Sequence, residues 1–320
     1  MALKLRTLAA FALTALLAGW PGFASATPSW RDQLGLDRAH ELSTGAGVVV
    51  GVVDTGVARF SDAVLPGADF PDLGAEAPDP HGHGTAMARL VLEVAPNATV
   101  LPARLNGGPA DVNAALRWVV DEGAGVVNLS LGGTPGSSVY DEGLRYAREH
   151  DVVVVAAAGN ASVDSRVTSP ADRDGVLAVS AVDEHGEFRP DVSVEGPEIF
   201  LAAPGVDVAA GQDVPRRGTS QAAAVVSGTV ALVRARFPEL SATEVTDRLA
   251  RTATDAGAPG RDPRFGFGLV NPRAALAGEP ASHLGCLVLS CAVALGVLVA
   301  GCTMWQRRAR QIVQQSHDSP

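Results

Sequence analysis

The sequence predicts an α/β domain built on a mostly parallel sheet with helices on both faces. Two observations carry this reading. Short runs of β-branched or small apolar residues, such as 48–53 and 152–158, alternate with longer stretches of helical period, such as 86–94 and 111–122. A run that is apolar at every position suits a strand covered on both faces, whereas a strand with one wet face alternates. Gly, Pro, Asn and Asp cluster between the runs, where strand-to-helix crossovers must turn.

Taken in order, residues 30–42 form a short amphipathic stretch, followed by Gly45-Ala46-Gly47. A strand over 48–53 ends in Asp54-Thr55-Gly56. Gly45 and Gly47 precede this strand and Gly51 lies within it, so they are not a dinucleotide-binding turn, which follows a strand into a helix. A loop rich in Pro, Gly and Asp covers 58–80. Its Asp62, Asp69, Asp72, Glu76 and Asp79 read as a solvated acidic loop; structural calcium is conceivable there, but no calcium-loop spacing is present. His81-Gly82-His83-Gly84-Thr85 opens a helix over 86–94, and two histidines two residues apart cannot share one helix face as a metal pair.

Beyond it the pattern gives a strand over 99–105, a helix over 111–122, a strand over 126–131 and a helix over 138–149. Strands over 152–158, 176–182 and 198–203 follow. The turn Arg217-Gly218-Thr219-Ser220 hands over to an apolar run, 222–237, that reads as a buried helix. Ser241-Ala242-Thr243-Glu244 is a capping box for a second helix through Val245 and Leu249. The segment 265–268 then turns into 269–276, which closes the domain.

The ends of the 320-residue chain read differently. Lys4 and Arg6 precede an uncharged segment, and Ala24-Ser25-Ala26 has the small-residue pattern of a secretory cleavage site, so residues 1–26 read as a signal peptide. Residues 284–305 carry no charge and are long enough, at about 1.5 Å per residue, to cross a bilayer as a helix. Arg307, Arg308 and Arg310 follow at once. The expected layout is therefore an extracytoplasmic domain over 27–276, a linker over 277–283, a single-pass transmembrane helix over 284–305 and a cytoplasmic tail over 306–320.

Setting aside Lys4, Arg6, Arg307, Arg308 and Arg310 from the 25 basic residues, and Asp318 from the 35 acidic ones, leaves 20 against 34, a net charge near −14. Such a surface argues against nucleic acid as a partner, because phosphate binding needs clustered Lys and Arg. The cysteines, Cys286, Cys291 and Cys302, all fall in the expected membrane segment, which leaves the external domain without a disulfide.

Four residues stand where an α/β site gathers, at strand ends or helix starts: Asp54, His83, Asn160 and Ser220. Each has a plainer reading as a turn former or helix cap. As a set they match the needs of acyl transfer. A serine hydroxyl is a weak nucleophile until a histidine takes its proton, and a carboxylate fixes that histidine's tautomer. A side-chain amide donates to the oxyanion that develops.

The segments Val52-Val53-Asp54-Thr55-Gly56-Val57, Gly82-His83-Gly84-Thr85, Asn128-Leu129-Ser130-Leu131-Gly132-Gly133, Ala157-Ala158-Gly159-Asn160 and Gly218-Thr219-Ser220 resemble the motifs of subtilisin-like serine proteases (peptidase family S8). The order Asp, His, Ser agrees with that family. The resemblance implies a subtilisin-like three-layer fold and a serine endopeptidase needing no cofactor and no catalytic metal. It implies Asp54, His83 and Ser220 as the catalytic triad and Asn160 as the oxyanion donor. It also implies Ser130, Leu131, Gly132, Gly133 and Gly159 as the edge that an extended polypeptide substrate pairs with. With the signal peptide and C-terminal membrane helix, the layout resembles the mycosins, membrane-anchored proteases associated with type VII secretion. That implies the lipid bilayer and a secretion complex as partners, with a catalytically inactive structural subunit as the alternative role. The family usually has proline where Ala224 stands and Met or a bulky apolar residue at Gln221.

Overall fold

The computed structural model describes residues 29–70, 79, 81–106, 109–210 and 213–278. Seven strands form one sheet in the order β2-β3-β1-β4-β5-β6-β7. They are β1 (Val49–Asp54), β2 (Ala68–Phe70), β3 (Thr99–Leu105), β4 (Val126–Leu129), β5 (Val153–Ala157), β6 (Val176–Val182) and β7 (Ile199–Pro204). Every neighbouring pair is parallel. With β2 and β3 on one side of β1 and β4 to β7 on the other, the order reverses beside β1, and its carboxyl end is Asp54. Crevices for ligands open at such switch points.

Eight α-helices accompany the sheet among the described residues: α1 (Trp30–Leu34), α2 (Leu36–His40), α3 (His83–Val94), α4 (Pro109–Asp121), α5 (Asp141–Glu149), α6 (Thr219–Arg236), α7 (Ala242–Thr252) and α8 (Pro272–Leu276). Alternate strand residues feed two cores. Val50, Val52, Val153, Val155 and Val179 face α3 and α6, together with Met87, Leu90 and Val225. Val53, Val127, Val154 and Ala156 face α4 and α5, together with Leu116, Val119 and Leu144. This explains why the strands read as unbroken apolar runs: each successive side chain enters a different dry layer. Gly51 is the exception within β1, because a Cβ there would stand 3.0 Å from the Cβ of Val119 on α4.

Helix α6 runs through the middle of one layer, and its residues are buried from Thr219 as far as Val233. It lies so close to α3 that a Cβ on Gly228 would meet the Val94 side chain at 2.6 Å. The capping box on Ser241 and Glu244 forms as expected, each side chain bonding the other's backbone N–H.

The structure departs from expectation at several boundaries. The stretch 30–42 is two helices, because Gly35 takes a left-handed φ of 59° that ends one and starts the next. The helix expected over 138–149 starts with a 3₁₀ turn, Ser138–Tyr140. The strand expected to reach residue 131 stops at Leu129. The expected acidic loop contains β2, which pairs with β3 at the edge of the sheet. Its Asp69 is not solvated: it forms an ion pair at 3.2 Å with Arg104 of β3, and both side chains are largely buried.

The expected signal peptide, transmembrane helix and cytoplasmic tail, most of the linker, and residues 71–78 and 80 of the acidic loop lie outside the described residues. Among the described residues no helix is long and apolar enough to cross a membrane.

Candidate active site

Asp54 ends β1 with its side chain 2% exposed, and His83 begins α3 with its side chain 30% exposed. The His83 Nδ1 and Asp54 Oδ1 atoms are 2.7 Å apart. Asp54 Oδ1 also accepts the Thr55 backbone N–H at 2.7 Å. An ionised carboxylate has no proton to give, so Nδ1 carries the hydrogen and Nε2 is left with its lone pair free. The hydrogen bond to Asp54 raises the His83 pKa above its ordinary value. Burial and the Arg216 cation work against this, while the charges of Asp54 and Asp79 add to it.

The approach of these two residues requires a glycine. A Cβ on Gly84 would strike the Gly56 carbonyl oxygen and press on Asp54, so no larger residue lets α3 begin here. Gly82, at the N-cap of α3, has a left-handed φ of 66° and no side chain to cap the helix. The cap comes from elsewhere. Asp79 Oδ2 accepts the Thr85 backbone N–H at 2.9 Å. Asp79 Oδ1 accepts the Thr55 hydroxyl at 2.8 Å and the His81 N–H at 3.1 Å. Thr55 Oγ1 in turn accepts the Gly84 N–H at 3.1 Å. Burial acts to raise the Asp79 carboxyl, and these hydrogen bonds outweigh it and hold the group below the usual carboxylate range.

Ser220 lies in the first turn of α6, where backbone N–H groups have no partner within the helix. Its carbonyl accepts the Ser130 hydroxyl at 3.0 Å, and its own hydroxyl donates to the Ser130 carbonyl over a long 3.4 Å. Asn128 Nδ2 donates to Ser130 Oγ at 2.9 Å, and Asn128 Oδ1 accepts the Ser227 hydroxyl at 3.0 Å. The Asn128-Leu129-Ser130 segment is thus tied to α6 at Ser220 and again two turns further on at Ser227. This is why the ladder of β4 stops at Leu129.

Asn160, three residues past the end of β5, is oriented by Thr219. Its Oδ1 accepts the Thr219 N–H at 3.0 Å and the Thr219 hydroxyl at 3.2 Å. Thr219 Oγ1 also accepts the Gly159 N–H at 3.2 Å. With Oδ1 held, the amide Nδ2 makes no hydrogen bond among the described residues and is free to donate. Gly132 and Gly159 both face the side chain of Thr168, and the Gly133 N–H donates to the Ser169 carbonyl at 2.8 Å. Leu131 is partly buried against the α4 and α5 layer.

The structure therefore brings Asp54 to His83, and Ser220 to Ser130, with Thr219 joining the Ser220 turn to Asn160. The helices that carry His83 and Ser220, α3 and α6, pack on one another. Reading the sequence missed Thr55, Asp79, Thr168, Thr219 and Arg216. Asp79 had a signal: a helix opening on Gly82 lacks a capping side chain, and an acid shortly upstream supplies one. Gln221 is 3% exposed, and its Oε1 is buried without a partner. No group of three or more His, Cys, Asp or Glu side chains that could hold a metal occurs among the described residues.

Comparison with known proteins points to one family. The subtilase family profile matches residues 45–268. A thermostable alkaline protease of Halalkalibacterium halodurans is 35% identical over 254 residues, covering 73% of this chain and 69% of its own. Subtilisin DY of Bacillus licheniformis is 35% identical, covering 72% and 91%. Among solved structures, MycP1 with its propeptide removed superposes with a TM-score of 0.69 at 31% identity, covering 78% of this chain and 97% of that one. MycP3 protease from the type VII (ESX-3) secretion system does so at 0.66 and 32%, covering 81% and 90%. Both the subtilisin-like fold and the mycosin likeness read from the sequence are supported, and the chain belongs to the subtilase family of serine endopeptidases.

Proposed function

We propose that the chain is an extracytoplasmic, membrane-anchored endopeptidase that cleaves extended polypeptide through an acyl-enzyme, with Ser220 as nucleophile, His83 as base and acid, and Asp54 as its orienting carboxylate. The 2.7 Å contact between His83 and Asp54 carries the reading. It leaves Nε2 as the acceptor a serine proton requires. On attack, the Ser220 proton passes to Nε2 and Oγ bonds to the scissile carbonyl carbon. The Ser220 N–H and Asn160 Nδ2 receive the oxyanion. The imidazolium, stabilised by Asp54, then protonates the leaving amine. A water molecule repeats the cycle to free the acyl group and restore Ser220. The long bond from Ser220 Oγ to the Ser130 carbonyl gives way in the first step at small cost, as resting-state bonds at such sites commonly do.

A role in type VII secretion is supported by the likeness to MycP3 and by the expected signal peptide and membrane helix. The rival, a non-catalytic subunit of a membrane complex, is favoured by one observation: among the described residues the Ser220 hydroxyl bonds to Ser130 and not to His83. A fluorophosphonate probe on the full chain decides between them. Labelling that vanishes in Ser220→Ala supports the protease, and absence of labelling, or labelling that survives that substitution, overturns it. Failure to co-purify with any membrane complex would remove the secretion link alone.

A further inference from the structure

The two proposed oxyanion donors come from different parts of the sheet. Asn160 follows β5, whereas the Ser220 N–H belongs to the turn that follows β7, and β6 lies between those strands. Such a pair stabilises developing charge only while both donors stay aimed at one point. The bonds from Thr219 to Asn160 Oδ1 hold the end of that side chain, and its backbone is left to other supports.

One of those supports is the segment after β6. The Ala161 N–H donates to the Val192 carbonyl at 3.0 Å and the Val194 N–H to the Gly159 carbonyl at 3.2 Å, so Asn160 and Ser193 pair antiparallel. Asp191 stands immediately before this pairing and reaches the Ser220 turn. Arg217 Nη2 donates to Asp191 Oδ2 at 2.6 Å. Arg189 grips the same carboxylate as a fork, Nε to Oδ1 and Nη2 to Oδ2, each at 3.0 Å. Arg189 Nη1 also lies 3.8 Å from Oδ2 of Asp183, the residue just past β6. The hydrogen bond from Arg189 foremost, and then that from Arg217, hold the Asp191 carboxyl below the ordinary range against the effect of desolvation. A ring thus closes. It runs from Asn160 to Thr219 through the side-chain bond, along the chain to Arg217, across to Asp191, and back through Val192 and Ser193 to Asn160.

We infer that Arg217 and Asp191 are positioning residues, an ionic clamp that holds the Asn160 loop against the Ser220 turn and so fixes the spacing of the two oxyanion donors. This rests on the roles proposed above for Ser220 and Asn160. Both side chains are about half exposed, and an isolated pair of that kind contributes little. Here the Arg189 fork has already fixed the carboxylate, so less freedom is lost when Arg217 binds, and the pair works as part of a network. Adjacent arginines then serve different halves of the site. Arg216 acts on His83 through its charge, and Arg217 acts on the donors through Asp191.

The test compares the full chain with Arg217→Lys, Arg217→Gln and Asp191→Asn, and repeats Arg217→Gln in an Asn160→Ala background. Each form is first labelled with a fluorophosphonate to count competent sites. Peptide hydrolysis gives kcat and KM. A peptide aldehyde gives an inhibition constant that reads the donors directly, because Ser220 Oγ adds to its carbon and the carbonyl oxygen takes up the charge. Arg217→Gln is expected to lower kcat about fivefold with KM nearly unchanged, and to weaken the aldehyde by a similar factor, since the donors act mainly on developed charge. Arg217→Lys keeps the cation and should retain most of kcat, while Asp191→Asn should lose at least as much as Arg217→Gln. In the Asn160→Ala background Arg217→Gln should cost less than about twofold, because the clamp has lost the donor it positions. An unchanged kcat in labelled Arg217→Gln, or a change confined to KM, overturns the inference and leaves the protease reading intact. So does a full loss that persists without the Asn160 side chain. Failure of the wild type itself to label overturns both.

Discussion

Replacing Asp79 by Ala should loosen the helix that presents His83. The carboxylate holds the Thr85 and His81 N–H groups and the Thr55 hydroxyl, and through Thr55 it also secures the Gly84 N–H. Losing a helix cap costs about 1 kcal/mol, and hydrogen bonds to a charged acceptor contribute roughly 1.5–3 kcal/mol each. Asp79 is half-buried, so water takes over part of what is lost. A net destabilisation of about 2 kcal/mol is expected. A drift of His83 from Ser220 that costs a further 1.4 kcal/mol in the transition state would lower kcat/KM about tenfold. The Asp79 charge raises the His83 pKa, so its removal should also move the acid limb of the kcat/KM profile to lower pH. Urea titration in a Ser220→Ala background, which prevents self-digestion, gives the stability; peptide hydrolysis from pH 5 to 9 gives the rest. Asp79→Asn, retaining one acceptor oxygen, should lose about half as much. A change below about 0.5 kcal/mol together with an unaltered profile would refute the capping role.

Three further outcomes follow from the site. His83 is a base only when neutral, and its pKa is raised, so activity should rise with pH through a midpoint above 6.5; Arg216→Gln removes a cation that lowers that pKa and should shift the limb upward, measured as kcat/KM against pH. Asn160→Ala should lower kcat by roughly 10²–10³ with little change in fluorophosphonate-independent measures of folding such as far-ultraviolet circular dichroism. Gln221→Met should raise stability by about 1–2 kcal/mol in urea titration, because it removes the unpaired buried Oε1 at nearly constant volume.

The sheet was legible because burial of both its faces writes itself into every strand residue, and Asp54, His83, Asn160 and Ser220 stood out because each interrupts an apolar pattern at a strand end or helix start. What stayed hidden depends on pairing between distant segments. Asp69 and Asp79 carry the composition of a solvated loop, and only the fold reveals that one meets Arg104 and the other caps α3. Thr168 looks like an ordinary loop residue, and Thr219 reads only as the residue before the serine. Their positions opposite Gly132 and Asn160 come from contacts between distant segments, which no local pattern encodes. Helix ends shifted for a similar reason. Gly35 and the 3₁₀ turn before α5 alter phase without altering the apolar period.

Helix α6 has no wet side from Thr219 to Val233. It therefore cannot fray or breathe apart from the layer it fills, and its amides exchange with solvent only when that layer opens. Adaptation to a substrate must be left to the rim, because the serine rides on the part of the molecule that moves last.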